Sequence, residues 1–332
     1  PNINISLPIT NWGYLTSLTI DEFTLTPGTY DRDYDTYDPP IWKTLLEEIK
    51  AIGAATGSQL HTLRLDSLVG VGDYALIDIS TNPWRGCSSL VEASFKKLVS
   101  AGNYLLYNCT SLTTVYLPLL VSAGNYLLWG CTSLTTVSLP LLASAGYGLL
   151  SCCIRLKKAD LPSLETVESG NWGLLEGCSS LEKVSLPKLT TGGRYLLYNC
   201  TSLTSVYLPL LASAGYGLLT GCTGLKKADL PSLETVESGS WGLLEGCSSL
   251  EKVSLPLLTT GGKYLLASCT SLRKLYFGVI TVTLGDNAFD GVATSNIDLY
   301  LPAGHGITGN TWNNKTWKSI NEYPGDVAWD LL

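Results

Sequence analysis

The chain has 332 residues, 45% hydrophobic and only 15% charged, with a formal charge of −7, a pI near 4.9 and a mean hydropathy of +0.20. This is enough apolar material for a sizeable core and excludes general disorder, while the acidic balance removes the electrostatic case for nucleic acid or an anionic membrane. Only two histidines occur, His61 and His305, 244 positions apart, so most metal and acid/base chemistries lack their commonest side chain. No run approaches the ~18 apolar residues of a membrane-spanning helix. A chain that begins at Pro1 and has no methionine reads as a processed or trimmed form that has lost any targeting segment.

In chain order, Leu15-Thr-Ser-Leu18-Thr-Ile20 after Trp12 reads as a first short strand. Residues 21–38, rich in Asp, Thr and Tyr, form an irregular loop. Asp38, Pro39 and Pro40 then precede Trp42, Leu45, Leu46, Ile49 and Ile52 at helical spacing, which predicts an N-terminal helix. A second strand, Leu60-His-Thr-Leu63-Arg-Leu65, follows Gly57, and residues 77–86 make its coil longer than those that follow. Loops of such length are where binding sites tend to lie.

From there one phrase recurs. Nine of the ten cysteines fall at 87, 109, 131, 153, 178, 200, 222, 247 and 269, each either 22 or 25 positions after the one before. Each opens a sequence such as Cys109-Thr-Ser-Leu112-Thr-Thr-Val115-Tyr-Leu117-Pro118, in which alternation marks a short strand and proline ends it. The connecting segment Leu119-Leu-Val-Ser-Ala-Gly124-Asn-Tyr126-Leu-Leu128 offers a glycine corner and a leucine pair expected to turn inward as a short helical turn. A coil of this size cannot bury its apolar side alone, so a period near 22 predicts a solenoid of stacked coils. About twelve strands at the parallel spacing give a stack on the order of 55 Å. A longer period is superposed: positions 156–203 match 225–272, 69 places further on, with five differences, and 132–150 match 201–219 with two. Ile297-Asp-Leu299-Tyr-Leu301-Pro302 reads as the last coil, and Asn310 to Ile320, with Trp312 and Trp317, as its cover. The expected layout is one continuous domain: an N-terminal cap with the first coil and helix over 1–56, the solenoid over 57–302 and a C-terminal cap over 303–332.

The phrase Cys-x-x-Leu-x-x-Val-x-Leu-Pro followed by Ala-Gly-x-Tyr-Leu-Leu resembles the BspA-like, or Treponema-type, leucine-rich repeats. Leu284-Gly-Asp-Asn-Ala-Phe289-Asp-Gly and the closing Leu301-Pro-Ala-Gly304 carry the same resemblance, which spans about residues 57–320. Elsewhere the family's Ala-Phe aromatic is replaced by leucine, as in Leu105-Leu106 and Leu196-Leu197. The resemblance implies a right-handed, β-rich α/β leucine-rich repeat superhelix with one parallel sheet. It also implies a bacterial cell-surface or secreted protein, in some members a lipoprotein with a lipid anchor upstream and in some an adhesin for host or bacterial proteins. It offers no shared catalytic residues, and no cofactor is expected.

Several residue sets are candidates for chemistry. The column cysteines are expected to be buried, free and inert, since stacked thiols point the same way rather than at each other, and a column does not converge on a metal. Cys152, beside Cys153, falls outside the column. The fifth and seventh places after each cysteine should face outward, giving Thr114/Tyr116, Thr136/Ser138, Lys158/Asp160, Lys183/Ser185, Ser205/Tyr207, Lys227/Asp229, Lys252/Ser254 and Lys274/Tyr276. Lys157 and Lys226 at the lip are expected to neutralise Glu182 and Glu251. Lys158 beside Lys183, and Lys227 beside Lys252 and Lys274, instead set like charges on adjacent strands, at a cost to stability that hints at a ligand. Tyr116, Lys158, Lys183, Tyr207, Lys227, Lys252, Lys274 and Tyr276 are therefore the candidate contacts for a host or bacterial surface protein or a glycan.

A series of aromatics, Tyr104, Tyr126, Tyr147, Trp172, Tyr195, Tyr216, Trp241 and Tyr264, reads as packing along a coil edge. Glu165, Glu168 and Glu176, repeated as Glu234, Glu237 and Glu245, read as a solvated acidic zone. The sequons at Asn108 and Asn199 contain column cysteines and read as chance. The function expected is a non-enzymatic interaction or adhesion module with its binding surface on the strand face, the alternative being a passive spacer.

Overall fold

The computed structural model describes residues 17–20, 29–31, 36–38, 62–66, 69–71, 77–78, 85–86 and 88–323. It is a parallel β-solenoid of about eleven turns. Starting at Cys109, a coil runs through the strand Thr114–Tyr116, turns at Leu117 and Pro118, passes through the two-residue strand Ser122–Ala123, corners at Gly124 and returns through Leu127 and Leu128 to Cys131. Gly124 is required by close approach, because a Cβ there would lie 2.6 Å from the Asn103 amide nitrogen of the coil below. The Asn103 Oδ1 accepts the Asn125 amide at 2.6 Å, and the Asn125 Oδ1 accepts that of Tyr147 at 2.9 Å, so this corner is bonded from coil to coil.

Eight of the described coils supply two strands where one was expected. The second row, from Gly70–Val71 through Ser100–Ala101 to Thr235–Val236, forms an eight-stranded parallel sheet. Its pairs alternate an outward hydroxyl with an inward Ala, Val or Gly, which is strand periodicity compressed into two residues. The main row is also not one sheet. Ser17–Ile20 to Thr114–Tyr116 form the first group, Thr136–Ser138 to Lys183–Ser185 the second, and Ser205–Tyr207 to Ser319–Tyr323 the third. The ladder is interrupted between Tyr116 and Thr136 and again between Ser185 and Ser205, although the second row still joins Ser122 to Ser144 and Thr191 to Ser213 across the same gaps.

The core is a stack of leucines with almost no exposure, among them Leu112, Leu117, Leu120, Leu127 and Leu128 in one coil. The leucine pairs do face inward, but not as a helical turn. In seven of the eight pairs the second leucine takes a left-handed backbone, with φ of 55° at Leu106, 57° at Leu128, 57° at Leu197 and 60° at Leu244. For a leucine this costs roughly 1–2 kcal/mol, which burial of the side chain, worth about 1.5–3 kcal/mol, offsets. The conformation directs the leucine carbonyl to the next coil, where a column cysteine meets it. Cys131 Sγ donates to the Leu106 carbonyl at 3.2 Å, Cys153 to Leu128 at 3.1 Å, Cys178 to Leu150 at 3.1 Å and Cys222 to Leu197 at 3.1 Å. The bond survives the longer coils, since the Cys178 and Cys247 partners lie 28 residues back instead of 25.

Among the described residues the only helical element is the 3-10 turn Thr294–Asn296. The N-terminal helix expected over 38–52 lies outside the described residues, except that Asp38, expected as its cap, ends the strand Thr36–Asp38. At the far end, Trp317 and Trp312 cover the core: the Trp317 Nε1 donates to the Trp312 carbonyl at 3.1 Å, and the Trp317 ring meets Phe289 edge-on at 5.3 Å. Replacing Cys222 by alanine leaves the Leu197 carbonyl with only the long bond from the Cys200 amide at 3.4 Å and is expected to lower the unfolding free energy by about 0.5–1.5 kcal/mol. The same change at half-buried Cys152, outside the column, should cost less than about 0.5 kcal/mol. Urea denaturation of the full chain checks both values.

Candidate functional site

The strand face rises directly from this register. Lys158 stands opposite Lys183, and Lys227, Lys252 and Lys274 follow one another across three paired strands. Thr114, Tyr116, Thr136, Ser138, Lys158, Lys183, Ser205 and Tyr207 are exposed, as their places predict. Lys227, Asp229, Lys252, Lys274 and Tyr276 are only half exposed, and Ser254, expected outward, is buried. Asp160 and Ser185 are half exposed as well, and at the C-terminal end of the face Tyr276 stacks on Tyr323 at 4.0 Å.

Electrostatics divide the face into two parts. Towards the C-terminal end the lysines have acidic company. Asp229 sits among them with its carboxyl raised by burial, against the pull of Lys227 and a bond from Ser254. Lys274 pairs in register with Asp298, which, despite burial, is held low by Lys318 at 2.8 Å and by Ser319. The Lys252 ammonium is lowered by partial burial and by the like charges of Lys274 and Lys227. Around Lys158 and Lys183 the acids are Asp160, two residues along the strand from Lys158, and Glu182. Glu182 is engaged by Lys157 at 3.7 Å, as expected, while Lys158 and Lys183 make no ion pair among the described residues. The matching expectation for Lys226 and Glu251 fails: Glu251 donates its amide to the Lys226 carbonyl at 2.9 Å, without an ion pair.

Beside this pair the second interruption of the ladder opens a cleft of about 640 Å³, lined by Lys158, Asp160, Lys183, Ser185, Ser205 and Tyr207 among others. Tyr116 and Tyr207, each flanking an interruption, are 51% and 62% exposed. The phrases on either side of the first interruption, from Cys109 and from Cys131, are nearly identical.

The aromatic series packs along a coil edge, as expected: Tyr104 stacks on Tyr126 at 4.8 Å, and Tyr195 meets Tyr216 edge-on at 5.1 Å. A second file runs beside it and joins it at Trp172, with Tyr107 stacked on Trp129 at 4.8 Å and Trp129 against Trp172 at 5.6 Å. The acidic zone is not uniformly solvated. Glu176 and Glu245 accept the amides of Gly173 at 2.7 Å and Gly242 at 2.8 Å, tying down the longer corners. Glu237 pairs with Arg194 at 3.1 Å, and the same guanidinium lies over the Tyr216 ring.

The eight described column cysteines are buried and free, and Cys87 lies outside the described residues. Burial pushes the Cys153 and Cys269 thiols up to about 12. Cys152 is raised to about 11 by partial burial and by the Glu176 charge. No metal-ligating cluster of His, Cys, Asp or Glu occurs among the described residues. No helix among them is long and apolar enough to cross a membrane.

A model of the BspA type leucine rich repeat region, comprising six copies, matches residues 72–172 and 173–297. The chain belongs to the BspA-type leucine-rich repeat family. Solved structures similar to this BspA-type chain include a leucine-rich repeat protein from Bacteroides ovatus, 20% identical, covering 77% of this chain and 79% of that one, with a TM-score of 0.45. A leucine rich cell surface protein from Faecalibacterium prausnitzii is 16% identical over 85% of this chain and 83% of that one, with a TM-score of 0.41. The pneumococcal vaccine antigen PcpA is 18% identical over 75% and 68%, with a TM-score of 0.42. No curated protein matches the sequence. Where this BspA-type chain replaces the aromatic of the repeat by leucine, the leucine is fully buried, and where it keeps Ala288-Phe289 both residues are buried in the same row.

Two outcomes follow from the site's ionisable groups. A thiol reagent at pH 7 to 8 should modify Cys152 slowly and leave the eight buried cysteines intact until the protein unfolds, with the Cys152 rate climbing as pH approaches about 11. Burial raises the Glu176 carboxyl from 4.5 to about 7, against the bond from Gly173. The folded chain therefore holds this proton more tightly than the unfolded one, and stability falls as pH rises from about 4.5 through 7. Glu176→Gln should narrow the difference in melting temperature between pH 5 and pH 8, measured against the parent.

Proposed function

We propose that this protein is a non-enzymatic interaction module of a bacterial surface or secreted protein, engaging a protein or glycan partner through its strand face. The observation that carries the reading is the pair Lys158 and Lys183, directly opposite each other on adjacent strands without an ion-pair partner among the described residues. Like charges so placed oppose folding, and a partner that supplies the missing anion removes the penalty. The candidate contacts are Tyr116, Lys158, Lys183, Tyr207, Lys227, Lys252, Lys274 and Tyr276. Of these, Tyr276 is already engaged by Tyr323, so it borders the surface. An extended face built from short rungs suits this role better than chemistry, since its residues do not converge as a nucleophile, a base and an orienting group must. Placement outside the cell rests on the family resemblance and goes with this proposal.

The test is a binding screen of the purified chain against extracellular matrix proteins and a glycan array. Any partner found is then titrated with Lys158→Ala/Lys183→Ala and with Lys227→Ala/Lys252→Ala. A tenfold or greater loss in at least one double variant, with the circular dichroism spectrum unchanged, supports the reading. Parental binding by both variants, or the absence of any partner in the screen, assigns the face the role of a passive spacer.

A further inference from the structure

The interruption between Ser185 and Ser205 has the attributes of a built subsite. The coils on either side remain bonded at the second row, through Thr191 and Ser213, and at the leucine turn, where Leu219 donates to the Leu196 carbonyl at 2.9 Å. Only the strand face is open. Peptide groups of Lys183–Ser185 and Ser205–Tyr207 that would otherwise bond each other line the cleft, and they offer donors and acceptors at fixed positions. Lys158 and Lys183 contribute two cationic heads, without ion-pair partners among the described residues, at one end. Tyr207 contributes an exposed ring at the other.

The two internal copies add a separate observation. Between 132–150 and 201–219 the only differences are Thr136 against Ser205 and Ser138 against Tyr207. Both fall on outward strand positions, and Ser205 and Tyr207 both line the cleft. The two copies differ only on the strand face, and beside this cleft the outward position carries the Tyr207 ring.

From this geometry we propose that the cleft binds one anionic sugar unit of a glycan chain. Lys158 and Lys183 take the carboxylate or sulfate through charge-assisted hydrogen bonds, the open strand edges meet ring hydroxyls, and the Tyr207 ring lies against the pyranose. A protein partner fits less well: its interface would need about 800 Å² per side, whereas this site is small and half of its lining residues are lysine, serine or the carboxylates Asp160 and Glu182. The inference deepens the interaction-module reading and rests on it.

Isothermal titration calorimetry would use three tetrasaccharide probes: tetragalacturonate, its carboxyl-reduced form and a sulfated galactan tetrasaccharide. The proposal expects one or both acidic probes to bind, the reduced form at least tenfold more weakly, and affinity to fall as salt rises. Lys158→Ala/Lys183→Ala and Tyr207→Ser, the latter restoring the residue of the other copy, should each weaken binding at least tenfold. Lys315→Ala, on the C-terminal hairpin, should not. Preference for uronate over sulfate, or the reverse, identifies which acidic group the lysines accept. Equal binding of the reduced probe, indifference to the lysine and tyrosine variants, or failure of both acidic probes overturns the proposal. If both acidic probes fail while the strand-face variants still abolish binding of a protein found in the screen, the sugar assignment falls and the interaction-module reading stands.

Discussion

The bond from a buried thiol to the carbonyl of a left-handed leucine is the constraint from which the remaining geometry descends. In seven leucine pairs the second member turns to positive φ, as Leu106, Leu128 and Leu197 do, with both leucines buried. That turn leaves a carbonyl in an apolar interior, where a polar group needs good partners and the amide three residues on reaches it only at a distance such as the 3.4 Å from Cys131 to Leu128. Cysteine answers both demands: it is small and apolar enough to stack at every coil, and it carries one weak donor aimed at the coil before. The same bond persists in the longer coils, because their additional residues are absorbed at the corner that Glu176 or Glu245 holds.

Once successive coils are locked in register, equivalent side chains must stand opposite each other on the outside as well. This accounts for lysine facing lysine on the strand face, serine or threonine facing its like on the second row, and tyrosine facing tyrosine along the edge. Register is indifferent to whether a row of neighbours is favourable. Aromatic neighbours gain from stacking and hydroxyl rows lose little, whereas lysine rows are penalised. The compensation is uneven: Asp298 adds a carboxylate in register with Lys274 at the C-terminal end, while Lys158 and Lys183, with Asp160 nearby, stand beside an opening without an ion pair among the described residues.

The architecture was legible because it is periodic. The cysteine spacing alone placed the main strands, the inward leucines and the outward pairs, and Lys157 with Glu182 followed from the same count. Features that depend on three-dimensional closure were not legible. Ser122–Ala123 is too short to show alternation, so the second row of strands was missed. Leu128 carries no mark of positive φ, a conformation imposed by packing against its neighbours, so a helical turn was expected there. Tyr107 and Trp129 follow directly on the leucine pair and differ in type from coil to coil, which hid their alignment. Ser254 is outward by pattern but buried in the structure, near the end of the face where aromatic residues such as Tyr276 and Tyr323 gather.

The duplicated block has a consequence for how this molecule can vary. Positions 156–203 and 225–272 are nearly interchangeable, and each coil bonds chiefly to the coils immediately before and after it. Unequal recombination between the two copies would therefore add or remove three coils at a stroke. Every thiol would still meet a leucine carbonyl at the junction, and the terminal segments would be untouched. The lineage can thus lengthen or shorten its reach in discrete steps of about 14 Å, at the strand spacing of about 4.8 Å per coil, without redesigning a single contact.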